Sequence, residues 1–260
     1  MNIRDVYRKI DALYPKRLSD DYVAAYGGRD NSGILIDAGG PVTGALFSLD
    51  FSQKALDAAL AAGANLIVSH HPAIFFPIVS LRAEDPLGAR LLRAAKEGVG
   101  VISMHLNFDC AAGGIDESLA RAAGGQGTLP PCQPLEGGGY GRVFALPAQP
   151  FSAFAEKLCK TLGTARAFLY GPARTVRSAA SFCGAGIDAE ALAFARRGGA
   201  DVVVSADIKH NFIADALEAG LNVVQLTHYA SENYGFKILF DNLKGKLGVP
   251  CTFFCDDALL

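Results

Sequence analysis

"NLIVSHHPAIFFP", residues 65–77, joins an apolar, β-branched run of strand length to two adjacent histidines, and the fold is read outward from it. The same pattern recurs at "GALFSLD" (44–50), "VGVISMH" (99–105), "ADVVVSA" (200–206) and "LNVVQLT" (221–227). Ala/Leu-rich stretches such as "SQKALDAALAAGA" (52–64) and "DPLGARLLRAAKEG" (85–98) separate the first of these runs. Strands alternating with helices of that length predict an α/β fold, sheets flanked by helices. Residues 124–141, "GGQGTLPPCQPLEGGGYG", interrupt the alternation with Gly and Pro. Such a stretch reads as a domain boundary. A second alternating block follows, with "GRVFALP" (141–147), "ARAFLYG" (165–171) and "TVRSAASFCG" (175–184) as strands, and with helices opening near 151, 188 and 210. Two successive α/β blocks of similar size suggest two domains of related architecture.

A chain of 260 residues that is 50% hydrophobic and 19% charged can bury a substantial core. Its formal net charge of −2 leaves no basic field for nucleic acid. The N-terminal stretch intersperses charge with apolar residues, and no apolar stretch reaches bilayer length, so neither a signal peptide nor a membrane span is expected. A cytoplasmic location is the resulting expectation. The six cysteines fall in no C-x-x-C pair and read as free thiols, with Cys251 and Cys255 packing on one face of a strand.

Four of the five histidines lie at predicted strand ends: His70 and His71, His105, and His228. Asp109 lies four residues after His105, and Glu232 four after His228. Ligands of α/β sheets collect outside the carboxyl ends of strands, which is where these groups fall. Imidazole nitrogen with carboxylate oxygen suits zinc, manganese, iron, cobalt or nickel. Adjacent residues of a strand point to opposite sides, so His70 and His71 suit two neighbouring ions better than one.

A competing motif, "GAGIDA" (184–189), follows a strand, opens a helix and matches G-x-G-x-x-A, with Asp207 at the next strand end. Asp188 and Glu190 would put negative charge where a pyrophosphate needs the helix N-terminus. Asp188 is therefore read as an N-cap, and no dinucleotide cofactor is expected.

"SHHPAIFF" (69–76), "MHLNFDCAAGGIDESLA" (104–120), "SADIKHN" (205–211) and "LTHYASE" (226–232), in this order and spacing, resemble the four signature segments of the Nif-three-like family, the GTP cyclohydrolase I type 2 homologues. The resemblance spans essentially the whole chain. It implies two related α/β domains, residues 1–125 with 229–260 and residues 126–228, and a dinuclear metal centre in the cleft between them. It also implies a ring-shaped homohexamer. By the same resemblance His70, His71, Asp109, His228 and Glu232 would be the metal ligands. His105 and His210 have no assigned metal in the family pattern and would line the cleft, binding substrate or shuttling a proton. The chain departs from the pattern at Leu106, where threonine is usual, at Thr227, where glycine is usual, and at Asn211, where a second histidine is usual. Neither of the first two removes a ligand, while Asn211 leaves no second imidazole beside His210. The implied activity is that of a dinuclear metal-dependent hydrolase on GTP, a related nucleotide or a phosphoester; the alternative is a non-enzymatic metal-binding toroid serving interaction or regulation.

Overall fold

The computed structural model describes residues 1–260. Its strands are β1 Gly33–Ile36, β2 Ala45–Ser48, β3 Leu66–Ser69, β4 Gly100–Ser103, β5 Pro131–Leu135, β6 Gly138–Pro150, β7 Ala167–Tyr170, β8 Thr175–Ser181, β9 Val202–Ala206, β10 Asn222–Leu226 and β11 Cys251–Phe254. Its helices are α1 Ile3–Asp11, α2 Arg17–Tyr26, α3 Gln53–Ala61, α4 Pro86–Lys96, α5 Leu106–Cys110, α6 Ile115–Ala122, α7 Phe151–Leu162, α8 Ala189–Arg197, α9 His210–Glu218 and α10 His228–Leu243. By packing, the chain divides into two compact units, Met1–Phe108 with Phe236–Asp256, and Asp109–Gly235 with Asp257–Leu260.

The first unit is built on a five-stranded sheet in the order β1-β4-β3-β2-β11. β11, β2, β3 and β4 run parallel, and β1 closes one edge antiparallel to β4. Every residue of β2, β3 and β4 is buried, as expected for parallel strands covered on both faces. This explains why their sequences are continuous apolar runs with no polar alternation. α3 starts where Ser52 accepts a hydrogen bond from the Ala55 amide at 3.1 Å, satisfying one of the helix's orphan donors.

The second unit carries a six-stranded sheet in the order β5-β6-β8-β9-β10-β7. β8, β9 and β10 are parallel, while β5, β6 and β7 supply antiparallel edges. Asp188 caps α8, its carboxylate accepting from the Ala191 amide at 2.8 Å, so the fingerprint-like "GAGIDA" opens an ordinary capped helix.

Within the stretch 124–141, expected to mark a domain boundary, the residues from Pro131 onward belong to the second sheet, where β5 and β6 form a hairpin closed by Glu136–Gly137. Prolines are tolerated because β5 is an edge strand that need not donate on its outer side. The glycines serve close approach rather than flexibility. A Cβ on Gly138 would stand 1.8 Å from the Cys110 carbonyl oxygen. The expected junctions at 125/126 and 228/229 also differ from the division by packing, because α6 lies against β6 and β8 and the first turns of α10 belong with the second unit.

Candidate metal centre

In the first unit the loops after β3 and β4 bring three imidazoles together. Ring centroids of His70 and His71 are 4.9 Å apart, of His70 and His105 5.2 Å, and of His71 and His105 6.0 Å. One ring nitrogen from each lies within 4.8 Å of the others, close enough that the three could hold a metal ion. Each ring is fixed from behind by an oxygen. His70 Nδ1 meets the Met104 carbonyl at 3.1 Å, His71 Nδ1 meets Asp50 Oδ1 at 2.7 Å, and His105 Nδ1 meets Asp30 Oδ1 at 2.8 Å. Carbonyl and carboxylate oxygens only accept, so Nδ1 donates in all three pairs, and the neutral ring then carries its lone pair on Nε2. Burial pushes the Asp30 carboxyl up, but hydrogen bonds from His105 and Ser32 outweigh it and hold the group well below the usual carboxylate range.

The second unit holds His228, Glu232 and Asp109. His228 opens α10, and one helical turn later Glu232 reaches the same side, with Nε2 to Oε1 at 3.1 Å. Asp207 Oδ2 lies 2.7 Å from His228 Nδ1, so this ring is backed by a carboxylate as well. Asp207 is the only residue other than glycine with positive φ, at 46°. Glu232 is 3% exposed and Asp109 4% exposed, both buried carboxylates.

One short segment, Cys183–Gly184, supports both acids. The Cys183 thiol donates to Asp109 Oδ1 at 3.3 Å, and Gly184 (φ 56°) lies so close that a Cβ there would be 2.4 Å from Glu232 Oε1. The segment is itself anchored. The Cys183 amide donates to Asp116 at 3.3 Å, the Tyr140 hydroxyl donates to the Cys183 carbonyl, and the Gly184 amide donates to Ser231 Oγ at 3.0 Å. Asp116 is fully buried and pairs with buried Arg142 at 3.1 Å. Burial, only partly offset by Arg142, pushes the Asp116 carboxyl up to about 7. Burial and the carboxylates of Asp109, Asp116 and Glu232 push the Cys183 thiol well above its ordinary value, so it acts as a hydrogen-bond donor and not as a thiolate.

The structure thus gathers His70, His71 and His105 within one unit and His228 with Glu232 in the other, and it places Asp109 against Cys183. His210 belongs to none of these clusters and is exposed at the start of α9. The acids that orient the rings, Asp30, Asp50 and Asp207, were not among the residues expected at the site; Asp207 was noted only at the strand end following "GAGIDA".

The donor chemistry fits divalent transition metals. Four imidazoles present Nε2 with Nδ1 held by oxygen, the arrangement that fixes the tautomer and raises the basicity of metal-binding histidines. At His228, Nε2 and a carboxylate oxygen face one another, which favours a cation at that place, either a proton or a metal.

The model of the family Duf34/NIF3 (NGG1p interacting factor 3) matches residues 1–257. The chain belongs to the Duf34/NIF3 family. Among its relatives it is 27% identical over 237 residues to the GTP cyclohydrolase 1 type 2 homolog of Clostridium perfringens, covering 89% of this chain and 87% of that one. It is 32% identical over 158 residues to the NIF3 homolog of Schizosaccharomyces pombe, covering 56% and 54% of the two chains. A Bacillus cereus protein related to NIF3 has the same fold, with TM-score 0.86 at 20% identity over 98% of this chain and 96% of that one. The four signature segments of this Duf34/NIF3 chain hold all of the histidines described above. No helix of the chain is long and apolar enough to cross a membrane.

Proposed function

We propose that this Duf34/NIF3 protein is a metal-dependent hydrolase whose centre holds two divalent transition-metal ions, with His70, His71, Asp109, His228 and Glu232 as ligands. The observation that supports it best is the common setting of the four strand-end imidazoles, each with Nδ1 engaged by an oxygen and the lone pair on Nε2. Two such ions, when bound, acidify a shared water and polarise the bond it attacks. The chain's own residues do the rest. Asp50, Asp207 and the Met104 carbonyl hold His71, His228 and His70 in register. Glu232 has two carboxylate oxygens and is the group able to serve both ions, whereas an imidazole has one lone pair. His105, tethered to Asp30, is the proton carrier beside the ligands, and His210 is the second candidate for that role.

The substrate class we favour is a nucleotide or related phosphoester, in keeping with the names of the bacterial relatives. The six cysteines are free thiols, which agrees with a cytoplasmic location, and a homohexameric ring is the assembly expected from the family resemblance. The test is elemental analysis of chelator-free protein, followed by an unbiased metabolite screen of the metal-loaded protein against a His70→Ala control. More than one transition metal per chain and turnover lost in the variant are expected. No metal after reconstitution with zinc or manganese would end this reading; full metal without turnover would favour the regulatory, non-enzymatic one.

A further inference from the structure

Immediately after the paired histidines the chain leaves the strand and makes an aromatic step. The Phe75 ring stands edge-on to His105, with centroids 6.1 Å apart, and Phe76 stands edge-on to Phe75 at 5.0 Å. Phe76 is 64% exposed, a costly setting for a large apolar ring. Over it lies the Arg29 guanidinium, 5.3 Å from the ring centroid, and the same loop supplies Asp30 to His105. The loops are tied together where Asn31 donates to the Ile74 carbonyl. Phe75 and Phe76 also wall an open groove of about 450 Å³ that runs to Arg90 on α4. That volume is in the range of small-molecule sites. Arg29 and Arg90 form no ion pair, the Arg90 Nε is buried without a hydrogen-bond partner, and the one acid of the groove, Asp85, faces Arg82 at 3.8 Å.

An exposed aromatic face, two arginines without acidic partners and a groove of small-molecule size, all within two rings of the histidine cluster, are complementary to one kind of ligand. We propose that this groove binds a planar heteroaromatic ring carrying an anionic group, a nucleotide-class molecule, with Phe76 and Arg29 on the ring and Arg90 on the anion. Its role as the substrate's recognition site rests on the hydrolase reading; the binding itself does not. Aromatic stacking and the cation's pull on a π face supply ring affinity, and the planar guanidinium of Arg90 offers donors in the fork that a phosphate accepts.

The chain contains no tryptophan, so a fluorescent base can be followed without that background. The probe is 2-aminopurine riboside 5′-monophosphate, titrated into the full chain with and without zinc, with the unphosphorylated riboside and ribose 5-phosphate as separate arms. Stacking on one aromatic is worth about 1–3 kcal/mol, so Phe76→Ala should weaken nucleotide and riboside at least about fivefold, and Phe76→Tyr should restore both. Arg90→Gln should weaken the nucleotide and leave the riboside unchanged. Wild-type protein that shows no saturable binding, or variants that bind as the wild type does, would overturn the assignment. So would Phe76→Ala altering the mass by light scattering while leaving binding intact, since the apolar ring would then serve self-association. Metal content measured on the same samples separates the two readings: nucleotide binding without metal keeps the groove and ends the hydrolase, and metal without nucleotide binding does the reverse.

Discussion

The two units hold their candidate metal-binding groups in opposite ways. The first offers three imidazoles whose backing groups, Asp50 and Asp30, stand on loops, and the rings of His71 and His105 remain partly open, with side chains 26% and 20% exposed. The second offers acids sunk in the interior: Asp109, Asp116 and Glu232 are all buried, alongside the buried guanidinium of Arg142. Partly exposed donors such as His71 and His105 can be lost at the cost of affinity alone. Buried charges are part of the fold's own electrostatics, so changes among them alter stability as well as chemistry.

The largest expected effect therefore falls in the second unit. Arg142→Met removes the cation beside fully buried Asp116 and leaves an acid without its partner in the interior, which costs about 3–5 kcal/mol by analogy with other broken buried pairs. Chemical denaturation should show this loss, and Arg142→Met/Asp116→Asn should recover part of it. In the first unit, Asp50→Asn breaks only the partly exposed pair with His71 and should cost less than about 1 kcal/mol. Equal losses in both variants would erase the contrast between the units.

Next come the acids themselves. Glu232→Gln keeps size and removes charge, so two neighbouring cations would lose a common anion; loss of at least one ion per chain is expected by elemental analysis, while His210→Ala retains both. Retention in the first and loss in the second would show that the ligands at the third and fourth signature segments are misassigned. Gly184→Ala reaches the same acid from behind. Its Cβ would stand 2.4 Å from Glu232 Oε1 and 3.3 Å from His228 Nε2, and φ is 56°. Metal loss with a stability cost of about 1–2 kcal/mol is expected. Full metal content would mean that Glu232 does not need its present position.

The same contrast explains what could be read in the sequence. Strands β2, β3, β4, β9 and β10 were legible because buried parallel strands are continuous apolar runs, and the histidines were legible because such strands end in them. Asp50, Asp30 and Asp207 were not, because each meets its ring across 21, 75 and 21 residues of chain and no local pattern links them. β5 was hidden by its prolines, which mark a turn as readily as an edge strand. Nothing local marks Arg142 and Asp116 as a pair, because they meet across 26 residues of chain. α10 starts at His228 itself, so His228 and Glu232 lie one turn apart on the same helix.

The smallest expected effect on stability separates support of a ligand from support of the fold. Asp207 holds His228 Nδ1 at 2.7 Å, and it does so from a left-handed backbone, φ 46°, that costs a non-glycine residue about 1–2 kcal/mol. Asp207→Gly relieves that strain and loses the carboxylate together. Relief is partly offset by the greater freedom of glycine in the unfolded chain, worth about 0.4–1 kcal/mol. The net change in unfolding free energy should thus lie between zero and about 1.6 kcal/mol of stabilisation. Metal affinity should move the other way, falling about 10–100-fold as His228 loses the group that orients it. A competitive chelator titration beside a denaturation curve reads both. A variant that is no less stable yet binds metal more weakly would show that Asp207 is strained for the sake of His228, whereas unchanged affinity would leave the strain serving only the turn between β9 and α9.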